Sequence, residues 1–491
     1  MKPNAKAALL LGRFVLLIGL LLGPSAVAAG PAAEIGRLLA KLPESNVEVA
    51  AIVVDLETGR TLFELNADTP LLPASTAKLF VLAAAVDRLG PEFAFHTRLA
   101  KLGSDLVLIG DGDPALGDAR LAKARDQKPD AVFDRWAAVL TSAGLASIDG
   151  DVVVDDSIFD DQFLHPEWDP RDHKKWYAAP VGGLNFNDNC VDITLVPVER
   201  AGDPVLWSSV PRADLIEVVN RCKSGGKGSA LIDRPKPQFR FVISGRCNKR
   251  WPFPPVPVPD PGLLTASALV TGLRDRGVTI GGQIVRRRVR AFDGAVSDDC
   301  QVLAEERTPL GDVLRRTGKN SQNMFAEALM KRLGYEWARK QGYPVPQGTW
   351  EAGQSALRDF VQQSGIDDHG LIMADGSGLS RKNRATAAAQ VALLQFMYRH
   401  RHRDLFVGSL SQAGVDGTLR KRLKKLPGRV YAKTGLLRGV RGLAGYAVTP
   451  QGRWRAFSVL FSGFKGRTGP FNEIHDKICR ILAADSAAAS R

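Results

Sequence analysis

Histidine is scarce in this chain: there are seven in 491 residues, and none falls in a His-Glu-x-x-His pattern. That argues against a helix-borne zinc hydrolase site. Nor is there a Gly-x-Ser-x-Gly stretch, the turn on which the serine of many histidine triads sits. The five cysteines (Cys190, Cys222, Cys247, Cys300 and Cys479) make no Cys-x-x-Cys pair and no Cys/His cluster, which argues against structural zinc. Neither a metal nor a cofactor is expected. Internal repeats are absent. Beyond the first thirty residues no unbroken apolar run approaches the ~20 residues a membrane-spanning helix needs.

What is present fits a globular protein, with 45% hydrophobic and 24% charged residues. The length is too great for one ordinary core, so two or more domains are expected. Lys2, Lys6 and Arg13 precede an apolar run from Phe14 to Leu22, then Pro24 and the small residues Ala26-Val27-Ala28. That order reads as a secretory signal over 1–29, cleaved near Ala28 or Ala29. An uncleaved anchor is the alternative, and either places the protein outside the cytoplasm. Export makes disulfides feasible, and Cys222 and Cys247, flanking a Gly/Lys-rich stretch, are the candidate pair. The net charge of +14 is spread along the chain with no nucleic-acid-binding pattern. For an exported protein it implies no nucleic-acid partner but a peripheral attraction to anionic membrane or wall.

Along the chain, Ile35–Leu42 has helical apolar spacing, and 47–65 reads as a hairpin around Glu57-Thr58-Gly59. Ser75 to Leu89 reads as a helix stopped by Gly90-Pro91. Residues 97–305 are rich in Asp, Gly and Pro with short β-like runs, an inserted region of two nested parts. Gln322 to Leu333 reads as a helix ending at Gly334. Three strands follow, Val430–Lys433, Val440–Val448 and Trp454–Phe461, and then a C-terminal helix. The expected division is 30–96 and 306–485 as one α/β (α+β) domain with an antiparallel sheet flanked by helices, 97–305 as a β-rich insertion, and 486–491 as a tail.

A serine nucleophile without histidine needs another base, and a desolvated lysine can serve. On a helix, Ser at i and Lys at i+3 share a face. Ser-x-x-Lys occurs three times, at Ser75–Lys78, Ser224–Lys227 and Ser462–Lys465. Only Ser75 precedes an apolar helix, Leu79-Phe80-Val81-Leu82-Ala83, whose burial would lower the amine pKa. Ser224 lies in a Gly-rich loop that only faintly resembles a phosphate loop, and Ser462 ends a strand. Two partners strengthen Ser75. Ser321-Gln322-Asn323 supplies a second hydroxyl to shuttle a proton and an amide to hold a carbonyl. Lys433-Thr434-Gly435 supplies a strand-borne cation for a terminal carboxylate.

Ser75-x-x-Lys78, Ser321-x-Asn323 and Lys433-Thr434-Gly435 together resemble the signature of serine penicillin-recognising enzymes. The stretch from Ser75 to Ser321 is far longer than in an ordinary class A β-lactamase. It is similar to the low-molecular-mass class C penicillin-binding proteins of the penicillin-binding protein 4 type. Gly110-Asp111-Gly112-Asp113-Pro114, the 375–381 stretch Asp-Gly-Ser-Gly-Leu-Ser-Arg, Asp416-Gly417-Thr418-Leu419 and Gly439-Val440 resemble further stretches of that family. The resemblance implies a β-lactamase/transpeptidase-like fold and a D-Ala-D-Ala carboxypeptidase or endopeptidase acting on peptidoglycan stem peptides and acylated by β-lactam antibiotics. It implies Ser75 as nucleophile, Lys78 as general base and Ser321 as proton relay. Asn323 would hold Lys78 and the substrate. Lys433, Thr434 and Gly435 would bind substrate, and the Ser75 and Leu436 N–H groups would form the oxyanion hole. It further implies Asp155 near the side-chain amine of the stem peptide, the alternative being a plain strand-end aspartate, and Arg381 near the substrate carboxylate.

Three positions depart from the family pattern: Gln322, Leu436 and Arg438 stand where Asn, a small Ser or Thr, and a neutral polar residue are usual. A non-catalytic wall-binding scaffold on the same fold is the alternative from another class, and a scaffold has no need of Lys78. A β-lactamase is the other, and no Glu-x-x-x-Asn deacylation motif stands at a suitable spacing.

Overall fold

Residues 48–55 read Glu-Val-Ala-Ala-Ile-Val-Val-Asp, apolar without alternation, which is the signature of a strand covered on both faces. In the computed structural model, which describes residues 30–484, that strand lies inside a six-stranded antiparallel sheet. Across the sheet run Ser411–Gln412, Val430–Leu437, Val440–Val448, Trp454–Ser462, Glu48–Asp55 and Thr61–Leu65. The sheet therefore joins both ends of the described chain. Successive side chains of a strand point to opposite faces. Val49, Ala51 and Val53 accordingly pack with Ile35, Phe471 and Ile478 of the Pro31–Leu39 and Gly469–Ala483 helices. Ala50, Ile52 and Val54 join the larger core with Phe80, Leu82, Phe325 and Leu394.

A second sheet has five strands in the order Ile284–Arg286, Val152–Asp155, Asp105–Ile109, Ala94–Leu102 and Gln301–Pro309. Its last two strands pair antiparallel from Ala94↔Pro309, so the chain leaves the first sheet's helices and returns to them side by side. Smaller sheets within 190–257 pack on a separate core that contains Trp136, Phe186, Phe241 and Leu269. The stretches expected to be a signal, 1–29, and a tail, 486–491, lie outside the described residues.

Four local expectations change. The helix after Ser75 begins later: Ala74–Ala77 is a 3₁₀ turn and the α-helix spans Lys78–Arg88. The helix expected to stop at Gly334 runs Asn323–Lys340. Gly334 stays inside because it meets the Trp350–Gln363 helix, where an added Cβ would stand 2.5 Å from Gly353 N. Close packing overrides the weak helix propensity of glycine. Lys433-Thr434-Gly435 lies within the Val430–Leu437 strand, with Leu436 and Leu437 continuing it. All five cysteines are free and buried, the candidate pair Cys222 and Cys247 included.

Candidate active site

The Ala74–Ala77 turn carries Ser75 beneath the central sheet, and its geometry explains the three-residue spacing. A 3₁₀ turn has three residues per turn, so positions i and i+3 lie one above the other. Lys78 Nζ accordingly stands 3.0 Å from Ser75 Oγ. The turn is entered through Ala74 at φ 46°, a left-handed conformation that costs a non-glycine residue about 1–3 kcal/mol and is tolerated where packing dictates it. Three glycines permit that packing. A Cβ on Gly378 would lie 1.9 Å from the Ala74 carbonyl oxygen, and one on Gly435 2.7 Å from that of Pro73. A Cβ on Gly442, across the hairpin, would stand 3.1 Å from the Thr76 methyl.

Lys78 is fully buried. Beyond Ser75 it donates to Asn323 Oδ1 at 2.7 Å and to the Ser377 carbonyl at 2.6 Å. Burial pulls its pKa down to about 7, against the opposing charges of Glu327 and Asp375. In the neutral form those two acceptors satisfy both N–H groups, and the lone pair is left for Ser75. The Ser377 carbonyl is fixed from below. Glu327, one turn after Asn323, accepts from Ser377 N (2.8 Å), Gly376 N (2.9 Å) and Trp350 Nε1 (2.8 Å). Asp375 shapes the rest of the loop by accepting from Gly378 N, Ser380 N and Trp168 Nε1.

Ser321 sits between two helices at φ 57°, again left-handed. That bend turns its hydroxyl to accept from Lys433 Nζ at 2.8 Å. Lys433 is buried, and burial, with the charges of Lys78 and Arg441 adding to it, holds its pKa well below the ordinary range. Asn323 also donates from Nδ2 to the Tyr177 carbonyl at 2.6 Å, so the second motif is held from a point 146 positions upstream. Gln322 adds a bond from Nε2 to Asp188 Oδ2 at 2.6 Å.

Thr434 donates to Thr418 Oγ1 at 3.0 Å, and Thr418 lies within the same distance of Ser411 Oγ. Ser411–Gln412 covers the outer edge of the Val430–Leu437 strand only opposite Ala432 and Tyr431. From Lys433 onward that edge has no strand partner among the described residues. Leu436 lies on this open stretch with its side chain 55% exposed. Arg381 is exposed and donates to the Arg438 carbonyl at 2.8 Å, at the tip of the same hairpin.

Ser75, Lys78, Ser321, Asn323, Lys433, Thr434 and Gly435 are thus brought together, with Leu436 and Arg381 at the rim. Asp155 is not. It is 1% exposed at the end of the Val152–Asp155 strand, and its carboxylate accepts from Ser157 N and Oγ, Val289 N and Arg290 N. With every acceptor position committed to structure, it has none to offer a substrate amine, which is what the strand-end reading expects. The half-buried Asp172 accepts the Tyr177 hydroxyl at 2.7 Å. Burial and this bond push the Tyr177 pKa up to about 12. Tyr177, Asp172 and Glu327 carried no sequence signal. Ser377 and Thr418 lay in stretches already singled out, without a role.

Residues 32–484 match the family model described as the D-Ala-D-Ala carboxypeptidase 3 (S13) family. The chain is 32% identical over 448 residues to a D-alanyl-D-alanine carboxypeptidase of Actinomadura sp. (strain R39), covering 84% of this chain and 78% of the relative. Among solved structures it is similar to penicillin-binding protein 4 (dacB) from Haemophilus influenzae, at 24% identity and a TM-score of 0.74 over 92% of this chain and 99% of that one. The same Haemophilus protein complexed with a novel β-lactam superposes with a TM-score of 0.71, at 24% identity over 92% and 100% of the two chains. These likenesses show the fold.

Proposed function

The chain belongs to the D-Ala-D-Ala carboxypeptidase 3 (S13) family, and from that premise we propose how its residues divide the work of a serine-type D-Ala-D-Ala carboxypeptidase on peptidoglycan stem peptides. Lys78 carries the reading: a buried amine with a pKa of about 7, its N–H groups taken by Asn323 and Ser377 and its lone pair left for Ser75. A base is most effective when its pKa lies near the working pH.

In the proposed reaction Lys78 takes the proton of Ser75 as Oγ attacks the carbonyl of the penultimate D-alanine. The N–H groups of Ser75 and Leu436 receive the developing oxyanion. Collapse breaks the peptide bond, and the departing amine takes a proton through the Ser321 hydroxyl, leaving an acyl ester on Ser75. Water then cleaves that ester. The open edge from Lys433 to Leu437 suits an extended peptide lying as an added strand. Lys433, Thr434 and, at the rim, Arg381 suit its terminal carboxylate. An anionic carboxylate beside Lys433 would restore the charge that burial suppresses. The amine-binding role first expected of Asp155 is assigned to Asp172, whose carboxylate accepts the hydroxyl of Tyr177, the residue whose carbonyl holds Asn323.

β-Lactams are proposed to acylate Ser75 through the same steps, in keeping with the Haemophilus relative crystallised with one. Export of the mature chain is part of the proposal and rests on the Met1–Ala29 sequence. So is peripheral attraction to an anionic surface. Its support is a shallow basic face where Arg37, Lys41, Lys477 and Arg480 surround Leu38 and Ile481.

The test is D-alanine release from a pentapeptide ending in D-Ala-D-Ala. The purified protein should release one D-alanine per peptide, and Ser75→Ala should release none. Release by Ser75→Ala at the parent rate would overturn the assignment.

A further inference from the structure

Where the second sheet meets the Asn323–Lys340 helix lies a cavity of about 380 Å³ that shares no residue with the catalytic motifs. Its walls bring together His96, Arg98, Asp111, Arg290, Arg307 and Arg332. The four arginines face only two carboxylates in the lining, those of Asp111 and Glu92. Arg98 is paired with Glu305 at 2.7 Å, and Arg332 with Asp111 and Glu336.

Arg290 is different. It is 8% exposed, yet its guanidinium donates only to the carbonyls of Gly294 and Gly110. No carboxylate lies within ion-pair distance of it among the described residues, and Nε has no acceptor. Arg332 Nε is likewise without one. Burial pulls the Arg290 pKa down, Asp155 and Asp111 oppose this, and the like charge of Arg332 adds to it. Arg307 also lacks a carboxylate partner, donating at 3.4 Å to the Glu92 carbonyl. A buried charge without a hydrogen-bonded counter-ion is costly, and an anion bound from solvent would offset that cost.

We propose that this cavity is an anion-binding site that takes a phosphate or carboxylate group through Arg290 and Arg307, with Arg98 and Arg332 beside them. Guanidinium groups match both oxyanions in fork geometry. The carboxylates of a wall peptide and a phosphate, free or polymer-bound, share this chemistry. A bound anion would tie the second sheet to the helix that begins at Asn323, the residue that holds Lys78.

The experiment is titration calorimetry on the purified full chain in low-chloride buffer, with inorganic phosphate in one arm and glutarate in the other. Saturable binding of at least one probe at a single site is expected. Response to phosphate alone assigns the site to phosphate, and response to glutarate assigns it to carboxylates. Arg307→Gln, a change at an exposed position, should weaken binding about tenfold, and Arg290→Met should abolish it. Should Arg290→Met fail to fold, the Arg98→Gln/Arg307→Gln double variant replaces it. Absence of saturable heat with both probes, or parental affinity in Arg307→Gln, overturns the proposal.

Discussion

Lys78 and Asn323 lie 245 positions apart in the sequence and 2.7 Å apart in the structure, the amine donating to the amide oxygen. The bond spans the whole inserted region and joins the helix behind the nucleophile to the helix behind Ser321. Asn323 fixes one N–H of Lys78, and the Tyr177 carbonyl fixes Asn323 in turn. Asn323→Ala should therefore leave the base loosely held and slow acylation about 10²-fold, the order typical of a misplaced catalytic group. Stopped-flow acylation by a fluorescent penicillin measures it, and a rate within twofold of the parent would contradict the role.

The pH dependence follows from the Lys78 amine. Only its neutral form can accept the Ser75 proton, and burial sets the pKa at about 7. The second-order acylation rate should rise with pH through about 7 and then level off. Asn323→Asp sets a carboxylate against the amine, which favours the protonated form and should move the rise to higher pH. A profile flat between pH 5 and 9 would show that Lys78 is not the base.

Gly378 touches the nucleophile's turn directly. Its φ is +79°, and a Cβ there would stand 1.9 Å from the Ala74 carbonyl oxygen. Gly378→Ala should lower the melting temperature and slow acylation at least tenfold, because the displaced Ala74 carries Ser75 with it. Gly408→Ala, in the Arg403–Ser409 helix with nothing within 4 Å of the new methyl, is the control: it should leave acylation unchanged and hold or raise the melting temperature.

Thr418 acts through Thr434. Thr418→Val removes the acceptor of the Thr434 hydroxyl, worth about 1 kcal/mol. Steady-state D-alanine release should show KM raised several-fold with kcat nearly unchanged. An unchanged KM would show that Thr434 holds its orientation without Thr418.

Asp172→Asn tests the proposed amine site. It should raise KM for stem peptides bearing a side-chain amine and leave peptides without one unaffected. Equal effects on both would reduce Asp172 to a support for Tyr177.

The catalytic motifs were legible because each is a short local pattern whose spacing suits one turn or strand. Context separates the three Ser-x-x-Lys pairs as well: Ser75 and Lys78 meet at 3.0 Å, while Ser224 is buried, accepting Val198 N, and Ser462 closes a strand. Other features depend on distant contacts. The Tyr177 carbonyl that holds Asn323 is a backbone group, which leaves no trace in side-chain patterns. Gly334 carries a stop signal that only the crossing with Gly353 cancels. Asp155 ends the apolar run Val152-Val153-Val154 and Asp172 lies in the polar stretch Asp169-Pro170-Arg171, a difference that says nothing of which carboxylate is free. The strand end at Asp155, with the Val289 and Arg290 N–H groups arriving from far along the chain, separates them.

The most direct measurement is intact-mass and peptide-level analysis of the protein after exposure to a fluorescent penicillin, alongside Ser75→Ala. The account predicts one adduct per chain, carried on the peptide containing Ser75, and no adduct on Ser75→Ala. Equal labelling of the two proteins, an adduct on another serine, or no labelling of the parent would contradict it.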